Sequence, residues 1–270
     1  MPGATLHDGS TLEFEVFGEG PALLLPVNPR PVEGERAELL RAYGNDPALG
    51  KHLIEGLQER LRVIAFDYEG HVLREPKPDT LTPENIVKDV LAVAQAAGAS
   101  RFAYYGYSWL GLVGLQLALR TDRLSALVMG GFPPLGGPYR EMLRVTLAAH
   151  ENAGRQANGD EWSTEGISKE QTKQFVTLYT ALQSFDDSAI QSRLRCSRLC
   201  FAGSRDEIRY GKEWGDVLVS LAGPLLQRRS ELEALGWEVR LLDGLDHTAA
   251  MQPGNVLPIL RSWLLEAHSS

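Results

Sequence analysis

The stretch Tyr104-Tyr105-Gly106-Tyr107-Ser108-Trp109-Leu110-Gly111 sets a serine in a sharp turn between two apolar runs of different period. Residues 100–105 read as a strand diving into a core, and residues 110–119 carry the spaced apolar side chains of a buried helix. Gly106 is expected to let the backbone reverse between them without a Cβ clash. A serine on such a turn has its hydroxyl thrust above the sheet edge, while the N–H groups that open the following helix are free to face a developing negative charge. That geometry suits acyl transfer, so Ser108 is the candidate nucleophile. A lone G-x-S also describes an ordinary strand-to-helix turn, so the reading depends on the rest of the chain.

Two later strand-like runs carry it further. Arg198-Leu199-Cys200-Phe201-Ala202-Gly203 leads to Asp206, and residues 237–242 lead to His247. Serine, then acid, then histidine is the chain order of an α/β-hydrolase triad. With these residues in hand the chain resembles the α/β-hydrolase superfamily over nearly its whole length. Residues 8–21 look like the first hairpin of that fold and residues 22–25 like its next core strand. Residues 61–71 resemble the strand and loop that precede the serine turn. Phe201-Ala202-Gly203-Ser204-Arg205-Asp206 resembles the acid loop, and Asp243-Gly244-Leu245-Asp246-His247 the histidine loop. The resemblance implies an α/β class, with a mostly parallel sheet flanked by helices and an inserted helical lid.

A serine hydroxyl is a weak nucleophile near neutral pH and needs a base within hydrogen-bond reach, a task for which imidazole titrates in the right range. His247 is the expected base, with Asp206 holding the ring tautomer and stabilising the imidazolium. Glu207, Asp243 and Asp246 compete for the acid role, and the resemblance favours Asp206; Asp246 adjoins His247, a poor position from which to reach its ring. Of the other histidines, His7, His52, His150 and His268 fall in terminal, polar or lid segments and read as solvated residues, and His71 as part of a structural loop. The backbone N–H groups of Trp109 and, by position, Asn28 are the expected oxyanion donors. Here the chain departs from the family pattern: Pro26 and Val27 stand where many relatives have histidine and glycine, and Leu110 where a small residue follows the elbow. Asn28 also fits a simple proline-bounded turn. Asn-Pro with tryptophan after the nucleophile is similar to the haloalkane dehalogenase and epoxide hydrolase branches, but those use aspartate where this chain has Ser108.

The 270 residues, 43% apolar and 23% charged, suffice for one α/β domain with an insertion, here 1–131 and 196–270 as the core and 132–195 as the lid. Pro133, Pro134, Gly136, Gly137 and Pro138 mark the start of that insertion, and within it 168–171 fits a capping box ahead of an apolar stripe at Phe175, Leu178, Tyr179 and Leu182. Thr82-Pro83 predicts another helix start, with an apolar face from Ile86 to Ala97. A formal charge of −8 with no basic block argues against nucleic acid as partner. The charge-free 102–119 is broken by glycines and polar residues and is not expected to span a membrane. The N-terminus lacks the pattern of a secretory signal, so cytoplasmic residence is expected. Cys196 and Cys200, roughly 13 Å apart on an extended segment, read as reduced packing residues rather than a disulfide or a zinc site.

No cofactor is expected. Residues 44–52 have five residues between the glycines of a phosphate loop instead of four and lack its final hydroxyl residue, which leaves a turn and helix start; Gly18-Glu19-Gly20 lacks the rest of a dinucleotide fingerprint. The expected activity is that of a serine hydrolase cleaving a small-to-medium apolar carboxylic ester or thioester through a Ser108 acyl-enzyme. Alternatives are a carbon–carbon bond hydrolase or an acyltransferase using the same residues, or a binding protein that keeps the fold without turnover. Oligomeric state is not encoded in any motif.

Overall fold

The computed structural model describes residues 1–154 and 167–269, with the side chains of His268 and Ser269 outside the description. The part of the lid expectation that falls on 155–166, and the reading of the His268 side chain, lie outside the described residues.

Seven strands form the central sheet in the order β11-β8-β7-β6-β4-β5-β3. These are β3 (Glu15–Phe17), β4 (Ala22–Leu25), β5 (Arg62–Ala65), β6 (Phe102–Tyr107), β7 (Leu124–Gly130), β8 (Ser197–Gly203) and β11 (Trp237–Leu242). Every pairing is parallel except that of the edge strand β3 with β5. The central strands read as unbroken apolar runs because both faces are covered. Leu24, Ile64, Tyr104 and Leu127 point to one face, where they pack with α4 (Pro83–Ala96) and α5 (Trp109–Ala118). Leu23, Val63, Ala103 and Val128 point to the other, against α2 (Leu49–Leu57) and α11 (Pro253–Ser269). On α11, Val256, Ile259, Leu260, Trp263 and Leu264 recur at helical spacing and are buried.

The sequence places a hairpin at 8–21, and the structure moves it. The first hairpin joins β1 (Gly3–Thr5) to β2 (Thr11–Glu13), with the turn at 6–10. β3 and β4 do not pair with each other, because β5 lies between them and bonds to both. Either glycine-bearing segment satisfies a turn locally, and only the sheet selects the one that closes a hairpin.

That hairpin corrects the reading of His7. Far from solvated, the ring is closed in, with Nδ1 2.9 Å from Asp89 Oδ1 and Nε2 3.1 Å from Thr80 Oγ1. Asp89 is fully buried on α4 and also accepts from the His7 backbone N–H and the Tyr68 hydroxyl. A buried carboxylate must be satisfied this way, and the donors around it become orphans if it is removed. Asp89→Ala should therefore lower the unfolding free energy by about 3 kcal/mol, with Asp89→Asn costing less. Urea denaturation measures this, and a loss within error of zero for the alanine variant would show that the network is incidental. His150 is likewise half-buried, its Nδ1 2.9 Å from Thr172 Oγ1. His71, read as part of a loop, instead lies in the helix Tyr68–Arg74, buried with Nε2 3.2 Å from Ser10 Oγ, and His52 is exposed beside Asp46.

Between α1 (Glu35–Ala42) and α2 the glycine-bearing loop is a turn and helix start, with Asp46 Oδ1 accepting from the Ala48 N–H. α3 (Tyr68–Arg74) begins directly after β5, its first turn capped by Asp67, which accepts from the Gly70 N–H. The insertion between β7 and β8 contains α6 (Tyr139–Asn152) and α7 (Lys169–Ala181), and α7 opens on the capping box expected at Ser168 and Gln171. After β8 come the two-stranded β9 (Glu207–Arg209) and β10 (Leu218–Ser220), then α8 (Ala222–Gln227) and α9 (Arg229–Ala234); α10 (His247–Ala250) follows β11. Among the described residues no helix is long and apolar enough to cross a membrane.

Candidate active site

Ser108 sits at φ 55°, ψ −131°, a conformation that non-glycine residues rarely hold. Its N–H donates to Gly130 O at 2.8 Å and its carbonyl accepts from Gly111 N at 2.8 Å, so both flanks fix the turn. Gly106 plays a different part from the one read in the sequence. It is an ordinary strand residue, not the reversal point; a Cβ there would lie 2.2 Å from Leu110 O, so its bareness lets α5 press against β6. The left-handed residue is the serine itself. Tyr104 completes the junction by donating its hydroxyl to Leu110 O at 2.8 Å. Leu110 is buried in the core, so the helix admits the larger residue without losing the serine's conformation.

Asp206 and His247 leave neighbouring strands at the same edge. β8 and β11 run in register, Gly203 beside Leu242, and the loops beyond are laced by Ser204 N to Leu242 O and Arg205 N to Leu245 O. The structure brings the Asp206 carboxylate to 2.9 and 3.0 Å from His247 Nδ1. The carboxylate is fully buried. An ionised carboxylate can only accept, so the shared proton belongs on Nδ1 and Nε2 is left as an acceptor. The competing acids are engaged elsewhere. Asp246 caps α10 by accepting from Ala249 N, Glu207 accepts from Ser220 Oγ, and Asp243 accepts from Ser204 Oγ.

Ser108 and His247 both line a cavity of about 310 Å³. Its walls are aromatic and aliphatic: Trp109 from α5, Phe132 after β7, Phe175 and Tyr179 from α7, and Tyr210 and Trp214 from the segment between β9 and β10. The stripe read on the insertion divides its work: Leu178, Tyr179 and Leu182 are buried in packing, while Phe175 and Tyr179 also face the cavity. Burial, with the Asp206 charge adding, pushes the Tyr210 phenol up to about 12, so it stays a neutral hydroxyl at the cavity wall.

The N–H groups of Trp109 and Asn28 donate no hydrogen bond among the described residues. Trp109 borders the cavity; Asn28 is not among its lining residues. Asn28 also has the local fit of a turn residue, its Oδ1 accepting from Arg30 N at 3.0 Å and its carbonyl pressed against Gly50. β4 and β6 are adjacent and parallel, so the loops bearing Asn28 and Ser108 leave the same edge of the sheet.

Three residues of the site escape a reading of the sequence. Tyr107 donates its hydroxyl to His247 O at 2.8 Å and sets its ring 5.0 Å from the imidazole, which fastens the histidine loop to the strand carrying the serine. Gly131 has φ +59°, and a Cβ on it would lie 2.6 Å from the Tyr107 ring and 2.9 Å from His247 Cε1. Glu69, on α3, accepts from the Trp109 indole N–H at 3.0 Å, and both residues line the cavity. Each depends on approaches between distant segments that no local pattern announces. Among the described residues no group of three or more histidine, cysteine, aspartate or glutamate side chains could hold a metal ion, and Cys196 and Cys200 are free thiols, the former pushed up to about 11 by burial.

No family model matches the chain. Among solved structures it is similar to a thermophilic esterase from Thermogutta terrifontis, at 18% identity and a TM-score of 0.66 over 98% of both chains. It is also similar to an enol-lactonase from Burkholderia xenovorans, at 18% identity and a TM-score of 0.63 over 100% of both. In sequence, a protein of Klebsiella pneumoniae named as a carbamate hydrolase, RutD, is 35% identical over 104 residues, which are 37% of this chain and 39% of that protein. The match thus spans about two fifths of the curated relative. The protein has the α/β-hydrolase fold.

Proposed function

We propose that this protein is a serine hydrolase that cleaves a small-to-medium, largely apolar carboxylic ester or thioester by way of a Ser108 acyl-enzyme. The observation that carries the reading is the strained Ser108 at the start of α5, sharing one cavity with an imidazole whose other nitrogen is held by the buried Asp206. In this reading His247 Nε2 takes the proton from Ser108 Oγ as it attacks the carbonyl carbon and returns it to the leaving alcohol or thiol. Water, deprotonated by the same nitrogen, then attacks the acyl-enzyme and releases the acid. The tetrahedral oxyanion is received by the free N–H of Trp109, joined by that of Asn28, whose loop leaves the same edge of the sheet. Carbon, oxygen and proton balance within these steps, so no cofactor is required.

Helices α6 and α7 act as the lid over the core formed by 1–131 and 196–270, supplying Met142, Val145 and Phe175 to the acyl pocket. The partner is accordingly a small molecule. The likeness to esterases and a lactonase supports the class of reaction, and the name of the Klebsiella relative adds carbamates to the substrates worth offering.

A fluorophosphonate probe tests the reading. Stoichiometric labelling of Ser108, located by mass spectrometry and absent in Ser108→Ala, is the expected result. A correctly folded protein that resists the probe would favour ligand binding without turnover.

A further inference from the structure

The cavity has one feature that ester cleavage does not use. Glu69 is the only carboxylate on its wall among the described residues, and no lysine or arginine lines it. Oε1 is engaged by the Trp109 indole, while Oε2 has no hydrogen-bond partner among the described residues. Glu69 is an exposed residue at the cavity wall, so its carboxylate is open to solvent and to a ligand entering the cavity. That oxygen is accessible, and a charged donor can reach it in place of solvent. Around it stand aromatic faces: Trp109 itself, and Phe175 in edge contact with Trp109 at 5.5 Å. A carboxylate beside aromatic rings attracts an ammonium group twice, through charge and through the ring quadrupoles.

We infer that Glu69 is a specificity-determining residue that seats a protonated amine, so that the preferred substrate is an otherwise apolar ester with an ammonium group on its acyl or alcohol part. The inference rests on the hydrolase reading for the reacting bond and on Glu69 alone for the amine. Because Glu69 holds the side chain of the residue that follows the nucleophile, an amine bound there lies one indole away from the serine turn. The ammonium N–H would donate to Oε2 in place of solvent, and the apolar remainder would lie along the aromatic wall toward Tyr210 and Trp214.

The test uses isosteres that differ only in charge. The purified full chain is titrated at pH 7 with 2-dimethylaminoethanol and with 3-methylbutan-1-ol, followed by tryptophan emission, and the acetates of both are offered as substrates. The amine should bind about tenfold tighter than the carbinol, and its acetate should show a kcat/KM about tenfold higher. Glu69→Gln, which keeps an acceptor for the indole, should bring each pair together, so that the amine-to-carbinol ratio falls to about one in both binding and kcat/KM. Equal affinity for the two alcohols in the native protein, which needs no variant to fold, overturns the inference. So does a preference that survives Glu69→Gln. Since binding of the alcohols does not require turnover, an amine preference without fluorophosphonate labelling would end the hydrolase reading and leave the ammonium site standing. Labelling without the preference would do the reverse.

Discussion

Replacing His247 with alanine is expected to lower kcat for a p-nitrophenyl ester by about 10⁵-fold, with the protein still folded. The magnitude follows from the serine's dependence on a base: without Nε2 to accept its proton, Oγ attacks as an alcohol, and the leaving group departs unprotonated. Asp206→Asn should cost about 10⁴-fold, because the amide can present an N–H to Nδ1 and so turn the acceptor nitrogen away from the serine. The carboxylate's two oxygens, 2.9 and 3.0 Å from Nδ1, make either one competent to hold the ring. Asp246 is the informative control, since it adjoins the histidine but spends its side chain on capping α10. Pre-steady-state release of p-nitrophenol separates the outcomes: loss of the burst places the defect in acylation. Unchanged turnover in His247→Ala would remove this residue from the mechanism.

The parts of this molecule that a sequence reveals are those where local chemistry and tertiary demand coincide. β6 and β8 are legible because strands buried on both faces are apolar throughout, and the edge strand β11 by its alternation of apolar Trp237, Val239 and Leu241 with polar Glu238 and Arg240. Ser108, Asp206 and His247 stand in the turns after these strands, so their order could be read once the strands were. The helix start at Thr82 and the capping box at Ser168 are equally local. Misreadings arise where a residue's neighbour is distant in the chain. His7 belongs to a polar turn by composition, and only the docking of the first hairpin on α4 makes it a buried partner of Asp89. Gly106 satisfies the expectation of a turn glycine, yet its requirement comes from the Leu110 carbonyl pressed on it. Glu69 looks like any acid near a helix start until the Trp109 indole is found on it.

The same contrast gives the Asn28 region its significance. Proline and valine in place of histidine and glycine do not alter β4, which keeps its parallel pairing with β6, so the substitutions act on the loop beyond the strand. There the carbonyl of Asn28 rests on Gly50 at the start of α2, which fixes the peptide from below and leaves its N–H without a partner. The donor is available, on a loop that leaves the same edge of the sheet as Ser108.

Gly131→Ala carries the second large effect, and its cause is geometric. Gly131 directly follows β7, donates its N–H to Phe201 O at 2.8 Å, and adopts φ +59°, which alanine enters at a cost of about 1 kcal/mol. The larger consequence is the added methyl, placed 2.6 Å from the Tyr107 ring and 2.9 Å from His247 Cε1, inside both van der Waals surfaces. Neither ring can retreat freely: Tyr107 is tethered through its hydroxyl to the histidine backbone, and the imidazole is tethered through Nδ1 to a buried carboxylate. The imidazole must therefore tilt, and a displacement of order 1 Å between base and nucleophile costs about 100-fold in rate. We expect kcat for a p-nitrophenyl ester to fall by about that factor and labelling of Ser108 by a fluorophosphonate to slow in parallel. Stability should drop by about 1–3 kcal/mol, as overpacking does elsewhere. The two losses should separate in a second variant, Gly131→Ala with Tyr107→Phe, where release of the tether lets the rings part: rate should recover part of its loss while stability does not. A single variant with native kcat would mean that the contact between Gly131 and the two rings does not hold the base in place.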